Sequence, residues 1–304
     1  MTTLSSPPTL RRNRIGHPAR DRFGWVFISP FLIVFLLMIV VPVVYSIYLS
    51  LFRDQLVGGN VFVGLANYID LFQDAKFWES LLRVCLFLVV QVPIMLALAL
   101  VAALALDSAR LYGAGFFRII LFLPYAVPGV VAALIWGFMY GNQFGLTANI
   151  NTLFGIHIDP LAEHAILASI GNVVTWEFLG YNMLIFYAAL RVIPAELYEA
   201  AEIDGAGSFR TVFSIKIPAI RGSLVIATMF SIIGSFQLFN EPQLLKSLAP
   251  NSISTYYTPN MYAYNLSFAG QQFNYSATVA IVMGVITALI AYIVQVRGSR
   301  SEGI

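Results

Sequence analysis

Charge is scarce in this sequence: Asp, Glu, Lys and Arg make up 11% of its 304 residues, 59% are hydrophobic, and the net charge is +2. A soluble domain carries about 25% charged residues, so this chain has too little polar surface to face water all round. The small, scattered net charge excludes the dense basic face that nucleic-acid binding requires. Cysteine is nearly absent. Cys85 stands alone in an apolar run, which excludes an intramolecular disulfide or a cysteine zinc cluster and leaves a small packing residue. His17, His157 and His164 lie far apart and form no HExxH pair, so no metal centre is expected. No GxxxxGK[ST] segment occurs, so the chain has no phosphate-cradling loop of that kind for ATP.

What the chain does have is long apolar runs, at about residues 24–52, 84–106, 119–140, 165–190, 223–239 and 276–296. A bilayer-spanning helix needs about 20 apolar residues, so the expectation is an all-α integral membrane protein of about six transmembrane helices. The first run exceeds the apolar core of about 7–15 residues in a cleaved signal peptide. It follows Arg11, Arg12, Arg14, Arg20 and Arg22 and reads as an anchor that stays. Pro93 and Pro128 are expected to kink the second and third spans. With the N-terminus in the cytoplasm, 13 Lys and Arg fall inside and four (Arg53, Lys76, Arg83, Lys246) outside, an orientation with both termini cytoplasmic. The inside set includes Arg110, Arg118, Arg297 and Arg300. The external connections, 53–83, 141–164 and 240–275, carry aromatic residues such as Tyr256, Tyr257, Tyr262 and Tyr264, which suit a bilayer interface or an external partner.

Most of the polar charge beyond the tail lies in the loop 191–222. Pro194 suits a helix start, Glu196 and Glu199 favour its positive end, and Gly205 is a natural stop. On a helical wheel Leu197, Ala200 and Ala201 share a face, with Glu196, Glu199 and Glu202 largely opposite. A second short helix is expected over 208–215, ending before Pro218. The residue pattern by itself favours an amphipathic loop lying on lipid headgroups; the competing reading is a compact platform whose small residues let another protein approach.

Polar residues inside spans are costly and are functional candidates. Glu177 stands between Trp176 and the pair Tyr181 and Asn182, and it shares a helix face with Tyr181. Rings and acceptors on one face suit sugar binding; a structural pairing of Glu177 with a neighbouring helix suits the same residues. Ser235, Gln237, Asn240 and Glu241, at the end of the fifth span, form a second set, for which a helix fraying into its loop is the competing reading.

The loop carries a further pattern. Glu199-Ala200-Ala201, Gly205 four residues after Ala201, and Ile215, Ile217 and Pro218 resemble the EAA signature of binding-protein-dependent importer permeases, with Ile217 in place of the usual Leu. The similarity continues in Phe62, Gly64, Leu65, Asn67 and Tyr68 followed by Phe77 and Trp78, in Arg118 to Pro124, in Ala133 to Trp136, and in Pro242 to Leu245. A glycine-rich stretch common in that family is replaced by residues 246–251, and the C-terminus lacks the ending typical of the second permease of a pair. The chain thus looks like a carbohydrate-type ABC importer permease, of the maltose/glycerol-phosphate first-permease kind.

The resemblance implies a type I importer permease fold in a prokaryotic cytoplasmic membrane. It divides the chain into a basic cytoplasmic tail, 1–23, and a permease domain, 24–304, whose loop 191–222 couples to an ATPase through Glu199, Ala200, Ala201, Asp204 and Gly205. It implies a second homologous permease, two ATP-binding subunits that hold ATP and Mg, and an extracytoplasmic sugar-binding protein as partners. The substrate path would fall to Trp176, Glu177, Tyr181, Asn182, Gln237 and Asn240. Neither a cofactor nor enzymatic activity is expected on this chain. Two other classes compete: an ATP-independent secondary transporter or channel for a small polar solute, and a membrane-embedded enzyme such as a lipid transferase. The first would call for internal repeats and ion-coupling charges, of which the sequence shows no convincing repeat and only Glu177 as a central charge; the second would call for clustered acids or histidines, and no such cluster occurs.

Overall fold

A computed structural model describes residues 18–55, 58–108 and 111–300, with side chains for 24–55, 58–108 and 111–298. Arg11, Arg12, Arg14, His17 and Arg110 lie outside the described residues, as do the side chains of Arg20, Arg22 and Arg300. The chain divides into two compact units, residues 1–48 and 49–304.

The first unit is one helical rod. α1 (Pro18–Phe35) passes through a π-helical turn, Leu36–Val40, into α2 (Val41–Ser50). Trp25 is 67% and Phe27 82% exposed. A helix this apolar on every side suits lipid rather than water.

The second unit opens with an antiparallel hairpin of β1 (Phe52–Gln55) and β2 (Gly59–Phe62), with Phe52 opposite Phe62. It is the only strand pair among the described residues and an exception to the all-α expectation. α3 (Ala66–Gln73) follows, then α4 (Ala75–Asp107), which runs unbroken through Pro93. The kink expected at Pro128 is instead a full break. α5 (Ala114–Phe122) ends in a 3₁₀ turn, Leu123–Ala126, and α6 (Gly129–Met139) leaves at 98° to it. Val127 is extended, with ψ 129°, as the residue before a proline prefers. Next come α7 (Leu146–Phe154), α8 (Ile166–Leu190), α9 (Ala195–Ile203) and α10 (Ser208–Thr211). The helix after α9 does not stop before Pro218. A π-helical turn, Val212–Lys216, leads into α11 (Ile217–Ala219), and the wider turn sits where Pro218 brings no N–H. α12 (Arg221–Phe236), α13 (Asn240–Leu245), α14 (Pro259–Phe268) and α15 (Phe273–Arg300) complete the chain. Among the described residues, five helical stretches are long and apolar enough to cross a bilayer, or up to six if the bent pair is one span.

The core is built on α4 against α8. Ala99 and Ala103 of α4, both fully buried, meet Met183, Phe186 and Leu190 of α8 together with Ile220 and Ala227. Small residues one turn apart let two helices approach closely. Gly180 does the same for α5: a Cβ there would collide with the Leu121 carbonyl. At one end of the bundle, Lys216 Nζ meets the Asp107 carboxylate at 2.6 Å, both side chains largely buried. Asp107 is the last residue of α4, where the helix dipole disfavours a negative charge, and Lys216 offsets it.

The opposite end is knit from the three long connections. Arg83 donates to the Tyr257 carbonyl at 2.9 Å, Tyr262 donates to Asp74, and Ser252 donates to the Leu161 carbonyl. Tyr257 and Tyr262 are buried here, not spread at an interface as their sequence context suggests. Burial raises the pKa of Tyr257 to about 12 despite the nearby Arg83. Asn67 donates to the carbonyls of Ser50 and Phe52 and accepts from Arg53, and Trp78 Nε1 donates to the Phe72 carbonyl. The Gly64–Tyr68 and Phe77-Trp78 signatures are therefore structural ties.

Two substitutions test this packing. Gly180→Ala should cost about 1–3 kcal/mol, because α5 must move to admit a methyl group, read as a lower unfolding midpoint in detergent. Lys216→Met, which leaves Asp107 buried and unpaired, should cost about 3 kcal/mol, and Asp107→Asn in the same chain should restore part of it. Unchanged midpoints would remove either contact from the account.

Candidate functional site

The loop between α8 and α12 presents a short helix with a complete C-terminal cap. Gly205 sits at φ 70°, its N–H bonds the Glu202 carbonyl at 3.0 Å, and the Ala206 N–H reaches back to the Ala201 carbonyl at 2.8 Å. These paired bonds close the last turn of α9 and need a residue that tolerates positive φ. A Cβ on Gly205 would meet nothing within 4 Å, so this turn faces open space. Glu199, Ala200, Asp204 and Gly205 are exposed, whereas Ala201 turns inward at 8% exposure. Of the face formed by Leu197, Ala200 and Ala201, only the first two remain open. Beside them Ile203 and Phe209 are 87% and 83% exposed, a concentration of apolar surface around the turn.

The inward side of α9 is tied to α4. The Tyr198 ring lies under Lys216 Nζ, 5.3 Å from the ring centroid, and Lys216 in turn holds Asp107. The Tyr198 hydroxyl is buried without a partner. Burial and the Asp107 carboxylate push its pKa up, with Arg191 opposing, so it stays neutral. The charged end of α4 and the surface helix thus share one cation.

The second feature is a cavity of about 410 Å³ among α4, α8, α12 and the two helix interruptions. Tyr125, just before the break at Pro128, stacks on Tyr181 with centroids 4.8 Å apart and meets the edge of Phe178 at 5.8 Å. Gln91, Asn182, Gln237, Asn240 and Glu241 supply polar groups to the same wall. Gln91 donates to Thr175 at 3.2 Å, and Asn182 donates to the Phe178 carbonyl while its Oδ1 is buried without a partner. Rings that stack and amides with free valences suit a hydroxyl-rich ligand.

Of the residues proposed from sequence for a substrate path, Tyr181, Asn182, Gln237 and Asn240 line this cavity, and Trp176 and Glu177 do not. Trp176 packs edge-on against Trp136 at 6.0 Å. Glu177 is 4% exposed and lies against Gly129, the first residue of α6. A shared helix face places Glu177 and Tyr181 one turn apart, but the break in the third span brings Tyr125 over Tyr181 and Gly129 over Glu177. Gln91 and Tyr125 were missed. Gln91, a lone amide within an apolar span, was the available signal; nothing local marks Tyr125.

Residues 75–300 match the family described as the binding-protein-dependent transport system inner membrane component. Among characterised proteins, the chain is 32% identical to a lactose transport system permease protein of Rhizobium radiobacter, over 90% of this chain and 93% of that one. It is 35% identical to a diacetylchitobiose uptake system permease protein of Streptomyces coelicolor, over 77% and 69%. In fold it is similar to a chain of a bacterial ABC transporter involved in import of the acidic polysaccharide alginate, at a TM-score of 0.81 and 19% identity, over 93% of this chain and 96% of that one. The match over most of its length, with those relatives, makes this chain a member of the inner membrane permease family of binding-protein-dependent transport systems.

Proposed function

We propose that this chain is a permease subunit of an ATP-driven sugar importer, conducting sugar through the cavity at Tyr125, Tyr181 and Gln237 and taking its drive from an ATPase docked on α9. The observation that carries the reading is continuity. The exposed, capped turn at Gly205 is tied through Tyr198 and Lys216 to Asp107 at the end of α4, and α4 places Gln91 in the cavity wall. A short helix closed by its own cap moves as a body, so pressure on it reaches α4. Such a push shifts the permease between conformations only through contacts that differ between them.

The relatives' names support a saccharide as cargo: lactose and diacetylchitobiose are uncharged, alginate is acidic. A solved alginate transporter in complex with its periplasmic protein supports delivery by an external binding protein. In this reading a second, homologous permease completes the path, and two ATP-binding subunits hold ATP and Mg. The subunit itself is not an enzyme. The membrane is the prokaryotic cytoplasmic membrane, with the basic tail 1–23, both termini and the loop 191–222 on the cytoplasmic side of the permease domain 24–304. The two groups of connections meet at opposite ends of the second unit, in keeping with that alternation.

Gly205→Asp places a charge on the open turn and strains its φ. It should leave the chain inserted but abolish sugar-stimulated ATP hydrolysis in the assembled complex, measured as phosphate release from proteoliposomes. Normal stimulation, or sugar uptake by this chain alone without ATP, would sink the coupling role. In the cavity, Tyr181→Ala removes a stacking platform and should raise the KM for sugar uptake about tenfold, whereas Trp176→Phe should change it less than twofold. The reverse order would move the path to the Trp176 side of α8.

A further inference from the structure

The interruption of the third span leaves α6 starting at the half-buried Gly129, and two acidic side chains converge on it. A Cβ at Gly129 would lie 3.4 Å from Glu177 Oε1 and 3.9 Å from Glu241 Oε1. Glu177 comes from α8 and Glu241 from α13; they are 4% and 8% exposed. Glu177 Oε2 is buried with no hydrogen-bond partner. Among the described residues neither carboxylate belongs to an ion pair. What faces them is the positive end of an 11-residue helix, whose first N–H groups have no acceptor within the helix. Gly129 carries no side chain to hold the oxygens away. A half-helix pole of this kind is able to hold an anionic group of a transported solute; here the protein's own carboxylates already occupy it.

Glu241 also lines the cavity, where among the described residues it is the only charged side chain and no Lys, Arg or His lies in the wall. We infer that this arrangement sets the charge of the cargo: the path accepts uncharged sugars and rejects acidic ones. An entering carboxylate or sulfonate would lose its hydration, find no cation on this subunit's described wall, and meet the Glu241 carboxylate at short range in a medium that screens poorly. The hydroxyls of a neutral sugar, by contrast, donate to Glu241. This inference deepens the sugar-path reading and depends on it.

The test is equilibrium binding to the complete importer in nanodiscs, without the binding protein so that only the permease path selects. The probes are neutral disaccharides, lactose and cellobiose among them, each beside its aldonic acid, lactobionate for lactose. The neutral member of a pair should bind at least about tenfold more tightly. Glu241→Gln should narrow that ratio by raising affinity for the acid, Glu177→Gln should do so in part, and Glu241→Asp should preserve it. Equal binding of both members by the unaltered complex, or a ratio indifferent to Glu241→Gln, would overturn the charge selection alone. Binding of no disaccharide of either kind would overturn the sugar-path reading and this inference with it.

Discussion

Inside a bilayer a backbone N–H or C=O has no water to turn to, and the cavity exists because two helices are interrupted there all the same. The interruption after α12 is satisfied from within. Where α12 ends, the Thr258 hydroxyl donates to the Leu238 carbonyl at 2.9 Å and Asn260 donates to the Phe236 carbonyl at 3.0 Å. Both donors come from a connection distant in sequence, and Thr258 also caps α14 by accepting from the Met261 N–H. Where α5 gives way to α6, the Leu123–Ala126 turn closes locally through the Val127 N–H to the Pro124 carbonyl, and Glu177 and Glu241 stand beside the first residue of α6. The loop 240–272 is therefore a structural support of the cavity: without it, the freed carbonyls of the fifth span would be buried unpaired, each at a cost of about 1–3 kcal/mol.

This constraint also explains which parts of the sequence were legible. The spans were readable because lipid imposes one requirement on all of them, an apolar run of sufficient length: the stretch at 276–296 lies within a helix found, and that at 165–190 matches another, Ile166–Leu190, to within one residue. The helix at Ala195–Ile203 was readable because its signals, Pro194 before it and Gly205 after it, act over neighbouring residues. Pro128 announced a disturbance, but its size depends on what meets the freed groups, and those partners lie 48 and 112 positions further along (177 − 129 and 241 − 129). The hairpin at Phe52–Phe62 was missed for a similar reason: it is held by Asn67 and Arg53 across the chain, not by a strand-like alternation.

The cavity residues divide along the same line. Tyr181, Asn182, Gln237 and Asn240 stood out as polar or amphipathic groups where lipid disfavours them, and a cavity is where such groups can be satisfied. Trp176 and Glu177 gave the same signal for a different cause. Trp136 covers Trp176, and Glu177 answers a helix pole. Polarity within a span marks a residue that must be compensated, and only the fold decides whether the compensation is a ligand or another part of the chain.

α4 connects the two candidate sites, and its geometry limits how they can communicate. Gln91 and Asp107 are 16 residues apart, about 24 Å along a helix. Toward α8 the helix is pinned over its last turns by Ala99, Ala103 and Leu106, and beside the cavity by Phe87 and by Gln91, which donates to Thr175. Pro93 lies between the pinned segment and Gln91, and it removes one helical hydrogen bond on the exposed side. A displacement applied at Lys216 would thus be carried along α4 together with α8 toward the cavity wall that Gln91 and Met95 form.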